Sequence, residues 1–259
     1  MLQDFKDIWR YRALISALVV RHLAMRYRGS LLGFLWSLLN PLCLMLVYVL
    51  VFKYYIRFNE VENYTIFLFC GLLPWLWVSS AALEGCNAVV SSGHLITKSM
   101  FPAQILPTVV VITTMVNFLL SLPLLFIFML AGGVPIPWTV VFLPILIVLQ
   151  FFFLLGAAFF LSALNVRLRD VQHIVGNLLN LLFFLSPILY PPKIVPEPWR
   201  FLVELNPLAL ITVFYHNLIL DGVLPSLTQV VYFSAFTGLG LLVGSLVFSH
   251  SRESFAEML

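Results

Sequence analysis

The sequence predicts an all-α membrane protein in which six helices cross the bilayer. Three features indicate this fold: long apolar segments, few charged residues, and basic residues concentrated on one side of those segments. Apolar residues make up 62% of the 259 residues and charged residues only 10%, whereas a soluble domain carries about 25% charged residues. Such a chain has more apolar surface than one water-soluble core can enclose. We therefore expect lipid to surround most of it.

Six segments are long enough to cross about 30 Å of hydrocarbon, for which a helix needs about 20 residues. They are 31–52, 64–90, 105–130, 138–164, 173–190 and 227–248. Their apolar residues do not alternate, which favours helices over the strands of a lipid-spanning barrel. We expect one transmembrane domain over 1–259, with a cytoplasmic or interfacial arm (1–30), a membrane domain (31–248) and a cytoplasmic tail (249–259).

The basic residues predict the orientation, because Lys and Arg accumulate in cytoplasmic loops. With six spans, one side carries ten of the 14 basic residues: Lys6, Arg10, Arg12, Arg21, Arg26, Arg28, Lys98, Arg167, Arg169 and Arg252. The other side carries Lys53, Arg57, Lys193 and Arg200. Both termini are therefore predicted to be cytoplasmic.

The N-terminal arm is predicted to be an amphipathic helix in the headgroup plane. Segment 1–12 is too polar for the start of a signal peptide. Apolar residues then recur at three-four spacing over 8–28, with Arg10, Arg21 and Arg28 largely off that stripe. The alternative is a short extra membrane helix at 13–20, although eight residues cannot span a bilayer.

The segment after the fifth predicted span contains six prolines, which exclude a continuous helix. They are Pro187, Pro191, Pro192, Pro196, Pro198 and Pro207. The apolar run 208–220 that follows is too short to cross. We expect a re-entrant outer hairpin between the fifth and sixth spans, the alternative being an ordinary surface loop.

The sequence has no motif for catalysis within this chain. It contains no G-x-x-x-x-G-K-[ST] phosphate loop, no H-E-x-x-H, no C-x-x-C and no G-x-S-x-G. Its five histidines fall in different segments, so no metal site is predicted. Glu84 is the only carboxylate deep in a predicted span. It would either pair with an arginine of the arm or serve a translocation path.

Four motifs resemble the membrane subunit of bacterial ABC exporters of polysaccharide, which export O-antigen, capsule or teichoic acid. The first, at 26–42, is RYRGSLLGFLWSLLNPL, and the second, at 94–107, is HLITKSMFPAQILP. The third, at 165–176, is NVRLRDVQHIVG. The fourth, at 186–192, is SPILYPP, followed by LNPL at 205–208. The resemblance covers essentially the full length, although the second motif has only Lys98 as a charged residue.

The resemblance implies a non-enzymatic permease that exports lipid-linked, O-antigen-like polysaccharide across the bacterial inner membrane. It implies a homodimer with two ATP-binding cassette subunits, which bind ATP and Mg²⁺, so that this chain needs no cofactor. The other expected partners are membrane lipid and a polyprenyl-pyrophosphate-linked glycan; nucleic acid is not among them. The alternative cargo is another lipid or a drug. A membrane enzyme would need clustered carboxylates or histidines, and an ion-driven transporter would need more intramembrane charge.

Three groups of residues follow from this resemblance and from the chemistry of its cargo. The predicted coupling segment to the ATPase comprises His94, Leu95, Ile96, Lys98, Met100, Phe101 and Pro102; the alternative is a mobile linker. The residues predicted to contact pyrophosphate are Arg21, Arg26 and Arg28; alternatively they contact ordinary anionic lipid. The residues predicted to line a glycan path are Trp36, Tyr48, Trp75, Trp77, Phe151, Phe152 and Phe159, although most aromatic residues in membrane proteins serve packing or interface roles.

Overall fold

A computed structural model describes residues 9–58, 61–93 and 102–258, and all regular elements in these ranges are helical. The α-helices are α1 (Arg12–Tyr27), α2 (Trp36–Val49), α3 (Tyr64–Ser91), α4 (Ile105–Ala131), α5 (Leu143–Arg167), α6 (Val171–Leu185), α7 (Phe201–Glu204), α8 (Pro207–His216), α9 (Leu227–Ser251) and α10 (Phe255–Met258). Helices α2 and α8 each continue as π-helix, over Leu50–Tyr55 and Asn217–Asp221. A 3₁₀ turn, Trp138–Phe142, leads directly into α5.

Five of these helices are long and apolar enough to cross a membrane. They are Trp36–Tyr55, Tyr64–Ser91, Ile105–Ala131, Trp138–Arg167 and Leu227–Ser251. Each coincides with a predicted span to within a few residues. A sixth crossing arises if the pair Glu197–Glu204 and Pro207–Asp221, bent by 92°, is counted as one broken span. The all-helical prediction is therefore confirmed, with five to six candidate spans.

The predicted fifth span, 173–190, was wrong in its bounds. Helix α6 has 15 residues, Val171–Leu185, which corresponds to about 22 Å at 1.5 Å per residue. It ends because Ser186, which precedes Pro187, is extended with ψ 144°, as the ring of a following proline favours. The apolar residues 186–190 therefore lie outside the helix, and α6 alone is short for a bilayer.

Helix α3 lies at the centre of the bundle. Inside the protein, 78% of its most apolar window is buried, against 11% for α2. Buried polar bonds connect α3 to its neighbours: Gln150 of α5 donates through Nε2 to the carbonyl of Pro74 at 3.3 Å. The Tyr215 hydroxyl of α8 donates to Gln150 Oε1 at 2.8 Å. Such bonds hold helices together in lipid, where apolar contact alone gives little preference for protein over acyl chains.

Helix α1 packs along the start of α4. Ile15 and Val19 are buried against Ile105 and Val109, while Val20 is 63% exposed. The arm helix is therefore fixed at the end of the bundle where α3 finishes and α4 starts. We call this end, which carries most of the basic residues, the basic end.

The crossing of α5 and α9 depends on glycine. A Cβ on Gly156 would lie 2.7 Å from Leu241 Cα, whereas a Cβ on Gly238 of the same helix pair would meet nothing within 4 Å. Small residues of this kind let two membrane helices approach closely.

We therefore expect Gly156→Ala to lower the melting temperature of the purified protein and Gly238→Ala to leave it unchanged or raise it. Alanine favours a helix over glycine by about 1 kcal/mol at either position, but overpacking at Gly156 costs about 1–3 kcal/mol. Equal melting temperatures for the two variants would show that the crossing is not tight at Gly156.

Candidate functional site

An open cavity of about 530 Å³ lies at the basic end between α1, α3 and α4. We call it the basic-end cavity. Its polar lining consists of Arg21, His22, Glu84, Asn87, Ser91, Ser92 and Gln172. Asn87 also accepts a hydrogen bond from Asn165 Nδ2 at 3.1 Å. This bond connects the cavity to the first residue of the third motif, 165–176. The third sequence motif thus reaches the basic-end cavity through a side-chain contact.

A second open cavity, of about 750 Å³, lies between α2, α3 and α4. We call it the lateral cavity. Its polar lining consists of Arg26, Ser30, Trp36, Ser37, Asn40, Trp77, Ser80, Thr114, Asn117 and Ser121. Leu44, Leu73, Leu76 and Phe118 add apolar surface. The lateral cavity therefore combines one cation, Arg26 of the arm, with hydroxyl, amide and aromatic groups. Most of these groups lie inside predicted membrane spans.

An ion pair connects the two cavities. Arg26 Nη1 donates to Glu84 Oε1 at 3.1 Å, and both side chains are 42% exposed. Glu84 lines the basic-end cavity, and Arg26 lines the lateral cavity. The structure thus shows the pairing of Glu84 with an arginine of the arm that the sequence offered as one of two alternatives. Because the pair is only half-buried, each group also reaches the space in its own cavity.

A third cavity, of about 410 Å³, lies at the opposite end of the bundle. Glu62, Lys193, His216, Asn217 and Asp221 supply its polar lining. His216 is buried, with its ring stacked on Phe67 at 4.1 Å and its Nε2 3.0 Å from the Phe67 carbonyl oxygen. Two of its lining residues, Pro191 and Pro192, belong to the proline-rich segment, so this segment forms part of the opposite end.

The seven predicted path aromatics lie in four different environments. Trp36 and Trp77 line the lateral cavity. Tyr48 and Trp75 both pack on Phe183 of α6, with ring centroids 5.5 and 5.6 Å away. Phe151 and Phe152 form an edge-to-face pair on α5, and Phe159 is buried against Phe248 of α9. The structure therefore brings two of the seven together at one cavity.

The predicted arginines are also separated. Arg21 lines the basic-end cavity and Arg26 the lateral cavity. Arg28 is exposed just beyond α1. Of the predicted coupling residues, Pro102 precedes the start of α4. The other six, His94, Leu95, Ile96, Lys98, Met100 and Phe101, lie outside the described residues.

Uncharged polar residues of the lateral cavity were missed by the sequence reasoning. Asn40 and Asn117 stand singly within long apolar runs, and Ser80 and Thr114 each belong to a pair of adjacent hydroxyl residues within such runs. The signal was present, because polar residues at membrane depth face the protein interior or a cavity far more often than lipid. The residues predicted to contact the cargo were all charged or aromatic.

Comparison with known proteins identifies the family. The model of the ABC-2 type transporter family matches residues 13–220. The chain belongs to the ABC-2 type transporter membrane family. This ABC-2 permease is 41% identical over 259 residues to the O-antigen export system permease protein RfbA of Myxococcus xanthus, with 99% of each chain covered. It is 31% identical to a protein of the same name from Klebsiella pneumoniae, with 95% of each chain covered. The polysialic acid transport protein KpsM of Escherichia coli is 21% identical, over 93% of this chain and 94% of that protein.

The ABC-2 permease allows a direct test of the ion pair by exchanging its charges. We expect Arg26→Glu and Glu84→Arg each to lower the melting temperature, because each places like charges together. The double variant should recover most of the loss, with a coupling energy of up to about 1 kcal/mol for a half-exposed pair.

The matched control is the pair Arg200–Glu197 at the opposite end, where Nη1 and Oε1 are 3.9 Å apart and Glu197 is 85% exposed. Exchange of its charges should give no measurable coupling. Additive losses in the Arg26 and Glu84 variants would show that the pair does not form in the membrane.

Proposed function

We propose that this ABC-2 permease is the membrane subunit of an ATP-driven exporter of lipid-linked, O-antigen-like polysaccharide. The observation that carries the proposal is its similarity to O-antigen export permeases over nearly the whole length of both chains. The lateral cavity supports it, since a lipid-linked glycan presents phosphate, hydroxyl and apolar surfaces, and the cavity offers groups complementary to each.

The proposed assembly is a dimer of this chain with two separate ATP-binding cassette subunits in the bacterial inner membrane. ATP and Mg²⁺ are bound and ATP is hydrolysed in those subunits, because this sequence has no phosphate loop. Helix α6 together with residues 186–190 provides the sixth crossing, because Gln172 lines the basic-end cavity and Pro191 lines the cavity at the opposite end. Both termini are then cytoplasmic, and the basic end faces the cytosol, where a soluble ATPase would bind. The amphipathic helix α1 lies at the level of the inner headgroups, with its exposed apolar residue Val20 towards lipid.

The proline-rich segment and α8 form a re-entrant hairpin at the outer mouth. The 92° bend between Glu197–Glu204 and Pro207–Asp221 supports this arrangement. At that bend Asn206 accepts a hydrogen bond from the backbone of Leu208 at 3.0 Å and Pro207 occupies the first turn of α8, a favourable helix start. Irregular backbone at this depth requires protein or water contacts, and the hydroxyls of Thr139 and Tyr64 supply them to the carbonyls of Leu218 and Leu189.

Arg21, Arg26 and Arg28 of the arm bind the pyrophosphate of the cargo before transport. Guanidinium groups bind phosphate oxygens in pairs of parallel hydrogen bonds. Arg21 lines an open cavity and Arg28 is exposed, so both are accessible to a headgroup at the inner leaflet. The apolar coupling residues Leu95, Ile96, Met100 and Phe101 insert into a groove of the ATPase and transmit its closure.

ATP turnover by the purified complex tests the function. We expect a lipid-linked glycan to stimulate ATP hydrolysis by the permease co-purified with its ATPase, whereas a drug or a phospholipid without glycan does not. In the Phe101→Asp complex this stimulation should be lost, because a carboxylate cannot insert into an apolar groove, while membrane insertion is retained. Stimulation by a glycan-free lipid or drug instead would assign another cargo, and full stimulation of Phe101→Asp would remove the coupling role.

Export in cells tests the arginines. Arg21→Ala and Arg28→Ala should each reduce surface polysaccharide several-fold more than they reduce the amount of inserted permease, because the loss is one of phosphate contacts. Arg12→Ala is the matched control: its guanidinium lies over the Trp9 ring at 5.4 Å, and it is not among the residues that line the basic-end or lateral cavity. Parallel losses of export and insertion would show that the arginines only set the orientation of the chain.

A further inference from the structure

One residue that lines the lateral cavity carries a buried hydrogen-bond donor that no described residue satisfies. The indole of Trp77 is 2% exposed and stacks on Phe118 with ring centroids 5.0 Å apart. Its Nε1 has no hydrogen-bond partner among the residues that the structure describes. A buried donor without a partner is costly, and Trp77 lines a cavity large enough for a ligand.

Trp36, the other indole of this cavity, provides a contrast. It is 42% exposed, and its Nε1 donates to Ser30 Oγ at 3.0 Å. The more accessible indole is therefore satisfied within the protein, and the deeper one is not. Trp77 lies seven residues before Glu84 in α3, which places it about 10 Å further into the membrane.

The groups around Trp77 suit a hydroxylated ligand. Asn40, Ser80 and Asn117 add amide and hydroxyl groups from three different helices to the same cavity. Converging polar groups of this kind are expensive in lipid. Sugars are bound by such groups together with aromatic faces, because their hydroxyls need partners and their C–H surfaces need apolar contact.

The mouth of the cavity suits an anion. Arg26 lines the cavity and donates to Glu84 Oε1 through Nη1, at 3.1 Å. A guanidinium has five N–H donors in a fixed fork, so one carboxylate oxygen leaves donors for a phosphate. The cation and the unsatisfied indole are thus arranged in depth along one cavity, the cation at its entrance.

We propose that the lateral cavity binds the phosphate-linked end of the lipid-linked glycan, with a phosphate at Arg26 and the first sugar at Trp77. The indole Nε1 donates to a sugar oxygen, and Arg26 exchanges part of its contact with Glu84 for the phosphate. This inference rests on the proposed function and adds to it a location and a sugar-binding residue. An ordinary phospholipid also carries a phosphate and, as phosphatidylglycerol, hydroxyls, so the test has to separate these two sources.

Binding of three probes to the full-length permease in phosphatidylcholine nanodiscs provides that test. The probes are farnesyl diphosphate linked to N-acetylglucosamine, farnesyl diphosphate alone, and farnesol. Trp77→Phe keeps a six-membered ring that can stack on Phe118 and removes the N–H together with the five-membered ring. We expect it to weaken the sugar probe about threefold to tenfold, the range for one hydrogen bond, and to leave farnesyl diphosphate unchanged. Arg26→Gln should weaken both diphosphate probes and leave farnesol unchanged.

Trp138→Phe is the control for the loss of an indole, because Trp138 packs edge-to-face on Phe142 and lines neither the lateral nor the basic-end cavity. It should change no affinity. The melting temperature of Trp77→Phe without probe should fall by about 2–4 °C, because the smaller ring leaves a small cavity, and binding is measured well below that temperature, where the variant is folded. This measurement separates a loss of the sugar contact from a loss of folding.

Two results would overturn the inference. One is an equal affinity of Trp77→Phe and the wild type for the sugar probe. The other is an affinity that disappears when phosphatidylglycerol replaces phosphatidylcholine, which would assign the cavity to ordinary anionic lipid. Neither result affects the proposed function, which is decided by the glycan-stimulated ATP turnover of the complex; failure of that stimulation would remove the function whatever the probes do.

Discussion

The burial of α3 determines where the other functional features lie. This helix of 28 residues passes through the centre of the bundle, and all three cavities open on it. Phe67 lies at the third cavity, at the end opposite the basic end. Trp77 and Ser80 lie at the lateral cavity, and Glu84 lies at the basic-end cavity. Because a buried helix cannot rotate or slide without disturbing every neighbour, the polar groups that it carries keep fixed depths and directions. One helix thus places polar chemistry at three levels of the membrane.

The polar bonds around α3 explain why so much irregular backbone is tolerated. Next to α8 the chain contains a 92° bend and a π-helical stretch, and lipid cannot satisfy exposed peptide groups. The Thr139 hydroxyl donates to the carbonyl of Leu218 at 2.7 Å, and the Tyr64 hydroxyl donates to that of Leu189 at 3.0 Å. Carbonyl groups outside regular α-helix are therefore satisfied by side chains of neighbouring helices. The irregular segments are consequently fixed in place rather than loose, as the proposed outer hairpin requires.

Sequence alone predicted the five long spans, because their apolar runs are long and the only stable way to cross lipid is as helices. It failed at α6, where the apolar run continued through Pro187 although the helix did not. It offered the pairing of Glu84 because an isolated carboxylate at that depth needs a cation, but helix spacing could not identify Arg26 among the arginines of the arm. It also could not sort the seven aromatics: Phe159 and Trp77 have similar surroundings in the sequence, yet one packs on Phe248 and the other lines a cavity. Which face of a nearly all-apolar helix meets which neighbour is decided by packing, and periodicity does not show it when apolar residues surround the helix.

The half-exposure of the Arg26–Glu84 pair matters for the proposed binding of phosphate. A fully buried pair costs about 3–5 kcal/mol to break by removing one partner, whereas a half-exposed pair contributes about 1 kcal/mol or less. With 42% of each side chain exposed, the proposed phosphate would replace part of the contact with the carboxylate at little cost, and Glu84 would remain in an open cavity that water can enter. A neutral residue at position 84 would leave Arg26 without a counterion between cargo molecules, and a deeper pair would not open. The position of Glu84 near the end of α3 thus satisfies two opposing requirements, that the arginine be held in place and that it remain available.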